Sequence, residues 1–170
     1  MPNKALFLDR DGVVNIDRHF VIRREDFKWT DGFFALCRHF LDRKFLVIII
    51  TNQSGVARNY FSESDLLKLH KYMIDELHKQ KIKITDIFYC ISLDDNHPDR
   101  KPNAGMFYKA ANKHDIDMSL SVSIGDKERD ITAAKKAGVG TNILFTKSTV
   151  TATSAEYTVG NLKEVLTLCM

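Results

Sequence analysis

Two carboxylates, Asp9 and Asp11, flank Arg10 directly after the apolar run Ala5-Leu6-Phe7-Leu8 and directly before Gly12. Acids paired in this way can share a divalent cation, or divide nucleophilic and proton-transfer work between them. Taken alone, an Asp-Arg-Asp-Gly is also what a solvated turn looks like. Two further apolar runs end in polar chemistry, however. Val47-Ile48-Ile49-Ile50 leads into Thr51-Asn52-Gln53-Ser54-Gly55, and Val122-Ser123-Ile124 leads into Gly125-Asp126. Between them stands Arg100-Lys101-Pro102, ahead of a helical segment opening near Ala104, and a lysine near a helix N-terminus is placed to meet a phosphate.

The elements that must position these groups follow from periodicity. Strand patterns at 4–9, 45–51, 86–91, 120–125 and 141–145 alternate with helical patterns at 31–43, 62–80, 104–114 and 128–138. That alternation predicts an α/β fold, a three-layer Rossmann-like parallel sheet covered on both faces. Such sheets bind ligands beyond the carboxyl ends of their strands, which places Asp9 and Asp11 at an active-site address. In the second helix, Ser62 or Ser64 can cap the start, with Glu63 and Asp65 at the positive end. Leu66, Leu69, His70, Met73, Ile74 and Leu77 form its apolar stripe, so His70 is expected to be packed. Gly138 and Gly140 end the fourth helix. Residues 146–155 read as a polar surface loop before a last helix near 161–169. Period-two alternation turns Arg10 away from its acidic neighbours, which predicts a structural role for it.

The chain has 170 residues, 44% of them hydrophobic, which suits one globular domain spanning 1–170. Its 25 basic and 22 acidic residues give a net charge of +3 without a basic stripe, so nucleic acid is not an expected partner. The longest apolar run, 45–50, falls far short of the roughly 20 residues of a membrane span, and no signal segment precedes the first strand. A cytoplasmic protein, working as a monomer, is expected. Three cysteines without close pairs, Cys37, Cys90 and Cys169, do not make a disulfide framework. Cys37 shares a helical face with Phe33, Phe34, Phe40 and Leu41 and is expected to be buried, whereas Cys169 carries no signal.

In this order the four groups resemble the signature of the haloacid dehalogenase-like phosphohydrolases: Asp-x-Asp, a Thr or Ser, a Lys, then Gly-Asp-x-x-x-Asp. The resemblance runs from Leu6 to about Thr146. Phe7-Leu8-Asp9-Arg10-Asp11-Gly12-Val13-Val14-Asn15, Thr51-Asn52-Gln53-Ser54-Gly55-Val56-Ala57-Arg58, Arg100-Lys101-Pro102 and Gly125-Asp126-Lys127 are similar to the branch that holds the D-glycero-D-manno-heptose bisphosphate and histidinol-phosphate phosphatases. The heptose member is the favoured reading. The resemblance implies a capless phosphatase, since the residues between Asp11 and Asp31 suffice for a flap but not for a cap domain.

Phosphate monoester hydrolysis needs an in-line nucleophile, an acid for the leaving oxygen and positive charge around the phosphoryl group. The resemblance assigns Asp9 as nucleophile and Asp11 as general acid and then base. It assigns Mg²⁺ to a carboxylate of Asp9, the backbone carbonyl of Asp11 and Asp126. Asp130 is expected to cap a helix or support the metal from behind, and Lys127 to assist or to be solvated. Thr51 and Lys101 hold the transferring phosphate, with backbone amides around Asn52. Arg58 and Arg100 are candidates for a second anionic group or the sugar, and Asp17 and His19 for sugar hydroxyls. Many relatives carry a zinc loop, but here the region offers only Cys90 and His97, so zinc is not expected. The phosphorylated substrate is then a small sugar. The alternatives are histidinol phosphate, a 3′-phosphorylated nucleic acid, and a phosphosugar-binding scaffold without turnover.

Overall fold

The computed structural model describes residues 2–168. Strands β1 (Lys4–Leu8), β2 (Phe45–Asn52), β3 (Asp86–Cys90), β4 (Val122–Gly125), β5 (Thr141–Phe145) and β6 (Tyr157–Val159) alternate with helices α1 (Phe33–Asp42), α2 (Glu63–Lys79), α3 (Gly105–His114) and α4 (Glu128–Lys136). The strands form one sheet in the order β3-β2-β1-β4-β5-β6, and every neighbouring pair is parallel. β1 therefore lies in the interior, with β2 and β4 on either side, and the three polar strand ends fall on one rim.

Side-chain alternation divides the core into two layers. Leu6, Leu8, Val47 and Ile49 face α1 and α2, packing with Phe33, Leu36, Cys37, Phe40, Leu69, Met73 and Leu77. Ala5, Phe7, Ile48 and Ile50 face α3 and α4, meeting Met106, Phe107, Ala110, Ala133 and Ala134. Both faces of the central strands are thus dry, as unbroken apolar runs require. Phe7 packs edge-on against Phe107 with ring centroids 5.1 Å apart, and truncating a phenylalanine buried in this way costs about 3–5 kcal/mol. Cys37 is buried with Phe33 and Phe40, as its helical face predicts.

Ser62 caps α2, accepting from the Asp65 backbone N–H while Asp65 returns the bond in a capping box. Its stripe is narrower than expected, because Ile74 is 43% exposed. Past β4, Gly138 takes φ +84 just after α4, the left-handed turn that lets the chain re-enter the sheet. Three boundaries differ from the sequence reading. Residues Met118–Leu120 form a 3₁₀ turn capped by Asp117, so the fourth strand begins only at Val122. The last helical segment is 3₁₀ at Leu162–Thr167, capped by Asn161, and Cys169 lies outside the described residues. A sixth strand follows the polar loop, although only Val159 of its three residues is buried. Thr146 and Glu156 tie its two ends to the sheet through bonds to Val159 O and Asn142 O.

Residues 9–32 carry a 3₁₀ turn at Arg24–Asp26 and isolated bridges from Asn15 to Asp11 and to Trp29. Val13, Val14, Val21 and Phe27 from this stretch are buried in the core, which anchors it as a flap beside the rim.

Candidate active site

The register places the site. Leu8 pairs with Ile49 on one side and with Ile124 on the other, so Asp9 emerges between the ends of β2 and β4. Its own backbone N–H donates to Ile124 O at 3.1 Å. Lys101 arrives from the β3–α3 connection and is fastened by Asn52, whose side chain accepts from Lys101 N–H and donates to Lys101 O, both at 3.0 Å. The side-chain amide of Asn52 is thereby occupied. Gly12 sits at φ +97, where a Cβ would strike the Asp126 carboxylate, so only glycine lets this turn close over Asp126.

Lys101 Nζ donates to Asp9 Oδ1 and to Ile50 O, each at 2.8 Å, and stands 2.7 Å from Asp130 Oδ1. The last contact is an ion pair out of hydrogen-bond alignment. Burial, and then the Asp130 charge, push the Asp9 carboxyl well above its usual range, and Lys101 opposes them. Burial works against ionisation of Asp130 too, but there Lys101 outweighs it and the carboxyl is held low. Lys101, although buried, is driven up by Asp130 and Asp9. The ammonium is therefore firmly charged and pins two acids at once.

Carboxylate oxygens of Asp9, Asp126 and Asp130 come within 4.8 Å of one another. Asp130 is committed: Oδ2 accepts from the Lys127 backbone N–H at 3.0 Å, capping α4, and Oδ1 faces Lys101. Asp126 is not, since its Oδ1 is buried without a hydrogen-bond partner. Burial, and then Asp130, raise its proton affinity above the usual range. A hard cation bound through oxygen fits this donor set.

Asp11 turns its carboxylate elsewhere. Arg10 Nη2 bonds both of its oxygens at 3.0 and 2.9 Å, Asn15 Nδ2 donates to Oδ1 at 3.0 Å, and Gln53 Nε2 donates to Oδ2 at 2.8 Å. Burial alone would raise this carboxyl, but Arg10, Asn15 and Gln53 together hold it below its usual range. The expectation that Arg10 points away from the acids is corrected. β1 ends at Leu8, so strand alternation no longer governs residue 10. The guanidinium of Arg10 is fully buried; it folds back onto Asp11 and places Nη1 3.3 Å from His70 Nε2. His70 is packed as expected. Burial, followed by the Arg10 charge, pushes its pKa down to about 3.

A cleft of about 230 Å³ opens above these groups, lined by Asp9, Asp11 and Thr51 at its floor. Asp17, His19, Asn52, Arg58 and Arg100 line it as well, so every substrate-binding candidate reaches the same space. Their commitments differ. Arg100 donates through Nε to Asp95 at 2.9 Å and through Nη1 to Ser92 O at 2.9 Å, bracing the loop ahead of it. Asp17 accepts from the His19 backbone N–H at 2.9 Å and lies 3.5 Å from Lys127 Nζ. Thr51 Oγ1 accepts from Gln53 Nε2 at 2.9 Å, which leaves the hydroxyl proton free to donate into the cleft.

The sequence reading missed Gln53, Asn15 and Arg129, the last of which also lines the cleft. Gln53 had a signal: it stands two residues after Thr51, on the same side of an extended segment. Arg129 had none, being one charge on a helix with a polar outer face. At the shortened loop, Cys90 Sγ and His97 Nδ1 are 3.7 Å apart, and His97 Nδ1 already accepts from the Asp99 backbone N–H at 3.1 Å. That supplies two soft donors where a closed zinc site needs four, so the residues present do not fit one.

Comparisons with known proteins agree with this geometry. The family model of haloacid dehalogenase-like hydrolases matches residues 68–143. The chain is 52% identical over 144 residues to a D-glycero-alpha-D-manno-heptose-1,7-bisphosphate 7-phosphatase of Campylobacter jejuni, covering 85% of this chain and 83% of that one. It is 37% identical to the D-glycero-beta-D-manno-heptose-1,7-bisphosphate 7-phosphatase of Helicobacter pylori, covering 96% and 95%. Among solved structures, the D,D-heptose 1,7-bisphosphate phosphatase of B. bronchiseptica, complexed with magnesium and phosphate, superposes with a TM-score of 0.86 at 30% identity over 96% of both chains. The chain belongs to the haloacid dehalogenase-like hydrolases and is a phosphatase of their heptose-bisphosphate branch.

Proposed function

We propose that the protein removes the 7-phosphate of a D-glycero-D-manno-heptose 1,7-bisphosphate through an aspartyl-phosphate on Asp9, with Mg²⁺ as cofactor. The observation that carries this reading is the buried Asp9 carboxylate, pinned by Lys101 at 2.8 Å beside the unpartnered oxygen of Asp126. Asp9, the Asp11 backbone carbonyl and Asp126 would hold the cation. When bound, it offsets repulsion between Asp9 and the phosphate and withdraws charge from the phosphoryl oxygens.

In the first half-reaction the Asp9 carboxylate attacks phosphorus, the ester P–O bond breaks and Asp11 gives a proton to the leaving sugar oxygen. The resting Asp11 is held ionised by Arg10, Asn15 and Gln53, so the proton it delivers is taken from solvent as the arriving phosphate dianion raises its proton affinity. In the second half, Asp11 takes a proton from water, the resulting hydroxide attacks the aspartyl-phosphate and inorganic phosphate leaves. Lys101 and the Thr51 hydroxyl hold the phosphoryl oxygens through both steps.

Among the described residues no helix is long and apolar enough to cross a membrane. A cytoplasmic, monomeric enzyme acting on a small phosphorylated sugar is part of the same proposal.

The test is phosphate release from heptose 1,7-bisphosphate and from histidinol phosphate, with Mg²⁺ and with chelator. Higher kcat/KM on the heptose, abolished by chelation and restored by Mg²⁺, is the expected result. Preference for histidinol phosphate would overturn the substrate, and full activity in chelator would overturn the cofactor.

A further inference from the structure

The Arg10 guanidinium is fully buried, so its N–H groups need acceptors inside the protein. One edge faces Asp11: Nε and Nη2 lie 3.3 and 3.0 Å from Oδ1, and Nη2 lies 2.9 Å from Oδ2. Nη2 also donates to Val21 O at 2.9 Å, which ties the flap to the same group. The remaining nitrogen has a different partner. Among the described residues, the acceptor for Nη1 is His70 Nε2 at 3.3 Å. A guanidinium only donates, so Nε2 carries the lone pair and the proton of the neutral ring sits on Nδ1.

His70 is itself held in place. It lies on the buried face of α2 with Leu66, Leu69 and Met73. Tyr89 of β3 packs edge-on against its ring with centroids 5.7 Å apart, and the Tyr89 hydroxyl donates to Glu63 in the first turn of α2 at 2.7 Å. The imidazole is thus wedged between a helix and a strand, and it does not line the cleft. Packing alone is served at this stripe by leucine and methionine, as Leu69 and Met73 show. What the imidazole adds is one acceptor, aimed at the group that holds Asp11.

We propose that His70 is a positioning residue for proton transfer by Asp11: by accepting from Arg10 Nη1 it fixes the guanidinium that clamps both Asp11 oxygens, and so fixes where the Asp11 carboxyl meets the leaving oxygen. This rests on the aspartyl-phosphate reading for the role of Asp11 and adds a separate claim about a residue on α2. Without the acceptor, Nη1 is left unpaired in a dry interior and the guanidinium must swing to find another, taking Asp11 with it. An acid displaced by about 1 Å forfeits up to about 10²-fold in rate.

The leaving group separates proton donation from everything else. A sugar oxygen needs a proton to depart as the alcohol, whereas p-nitrophenolate is stable enough to leave as the anion. The quantity read is the ratio of kcat/KM for an alkyl phosphate to kcat/KM for p-nitrophenyl phosphate, with heptose 1,7-bisphosphate and histidinol phosphate each serving as the alkyl ester. Because kcat/KM covers only the steps up to departure of the alcohol, hydrolysis of the shared aspartyl-phosphate does not enter, and the ratio is independent of the active fraction of each preparation. His70→Leu, which keeps the apolar volume and removes the acceptor, should lower the ratio about 10- to 100-fold, chiefly through the alkyl ester. His70→Gln, whose side-chain oxygen can accept from Nη1, should recover most of it. Asp11→Asn should show the lowest ratio of all. A ratio unmoved in His70→Leu but collapsed in Asp11→Asn overturns the positioning role and leaves Asp11 as the acid. A ratio unmoved in both takes the acid role from Asp11, and the proposal falls with it. Equal losses in His70→Leu and His70→Gln would make the ring a packing group and overturn the proposal as well. Should histidinol phosphate be the better substrate while the ratio still depends on His70, the heptose assignment falls and the positioning role stands.

Discussion

Lys101 Nζ donates to Asp9 Oδ1 across 2.8 Å, joining two buried side chains that stand 92 residues apart in the sequence. The ammonium opposes burial and the Asp130 charge, which together raise the proton affinity of Asp9 well above the usual carboxylate range. A carboxylate desolvated in this way is poised to attack, because it has few waters to shed.

Asp9→Asn removes the attacking oxygen but leaves Lys101 paired with Asp130 at 2.7 Å. Turnover should fall by at least about 10³-fold, with a stability loss of only about 1–3 kcal/mol. Phosphate release and urea unfolding measure the two effects, and wild-type turnover in the variant would end the covalent mechanism.

Gln53 bridges Asp11 Oδ2 and Thr51 Oγ1 at 2.8 and 2.9 Å. Gln53→Ala should lower kcat roughly 10- to 100-fold, as losses of orienting partners do, while circular dichroism stays at the wild-type level. Gln53→Glu should be worse, since it sets a second carboxylate against Asp11. If kcat is unchanged in both variants, Gln53 does not orient the proton-transfer group.

Gly12→Ala drives a methyl into the Asp126 carboxylate and forces alanine to φ +97. The strain costs on the order of 1–3 kcal/mol, and Asp126 must move. The Mg²⁺ concentration for half-maximal phosphate release should rise by about tenfold or more; an unaltered Mg²⁺ requirement would separate Asp126 from the metal.

His70 is kept neutral in the fold, its pKa pushed from 6.5 to about 3 by burial and then by Arg10. Between those values the unfolded chain carries a proton that the folded chain refuses. Stability therefore falls as pH falls below 6.5, by about 1.4 kcal/mol per pH unit for this one group, and is independent of it above. In denaturant titrations at pH 7.5, 6 and 5, His70→Gln should lose stability less steeply on the acid side than the wild type. Parallel curves for the two proteins would show that His70 is protonated in the fold.

The sequence by itself determined the three strand ends, the two dry faces of the central strands, a serine cap at the start of the second helix and the polar residues gathered at the floor of the cleft. Each of these is local: periodicity of two, a cap within one turn, a polar group next to an apolar run. Only the tertiary structure decided which of these groups hold one another. Arg10 folds back on Asp11 because its strand stops at Leu8 and because His70 from α2 closes over it. The Asn52 side chain grips the backbone of Lys101, Asp130 spends its oxygens on Lys127 and Lys101, and Arg129 reaches the cleft. β6 shows the same limit: with one buried residue it has no pattern of its own, and its order comes from β5. Pairing across long stretches of chain is set by strand order and packing, and a linear pattern of residue types does not encode the distance between side chains from different elements.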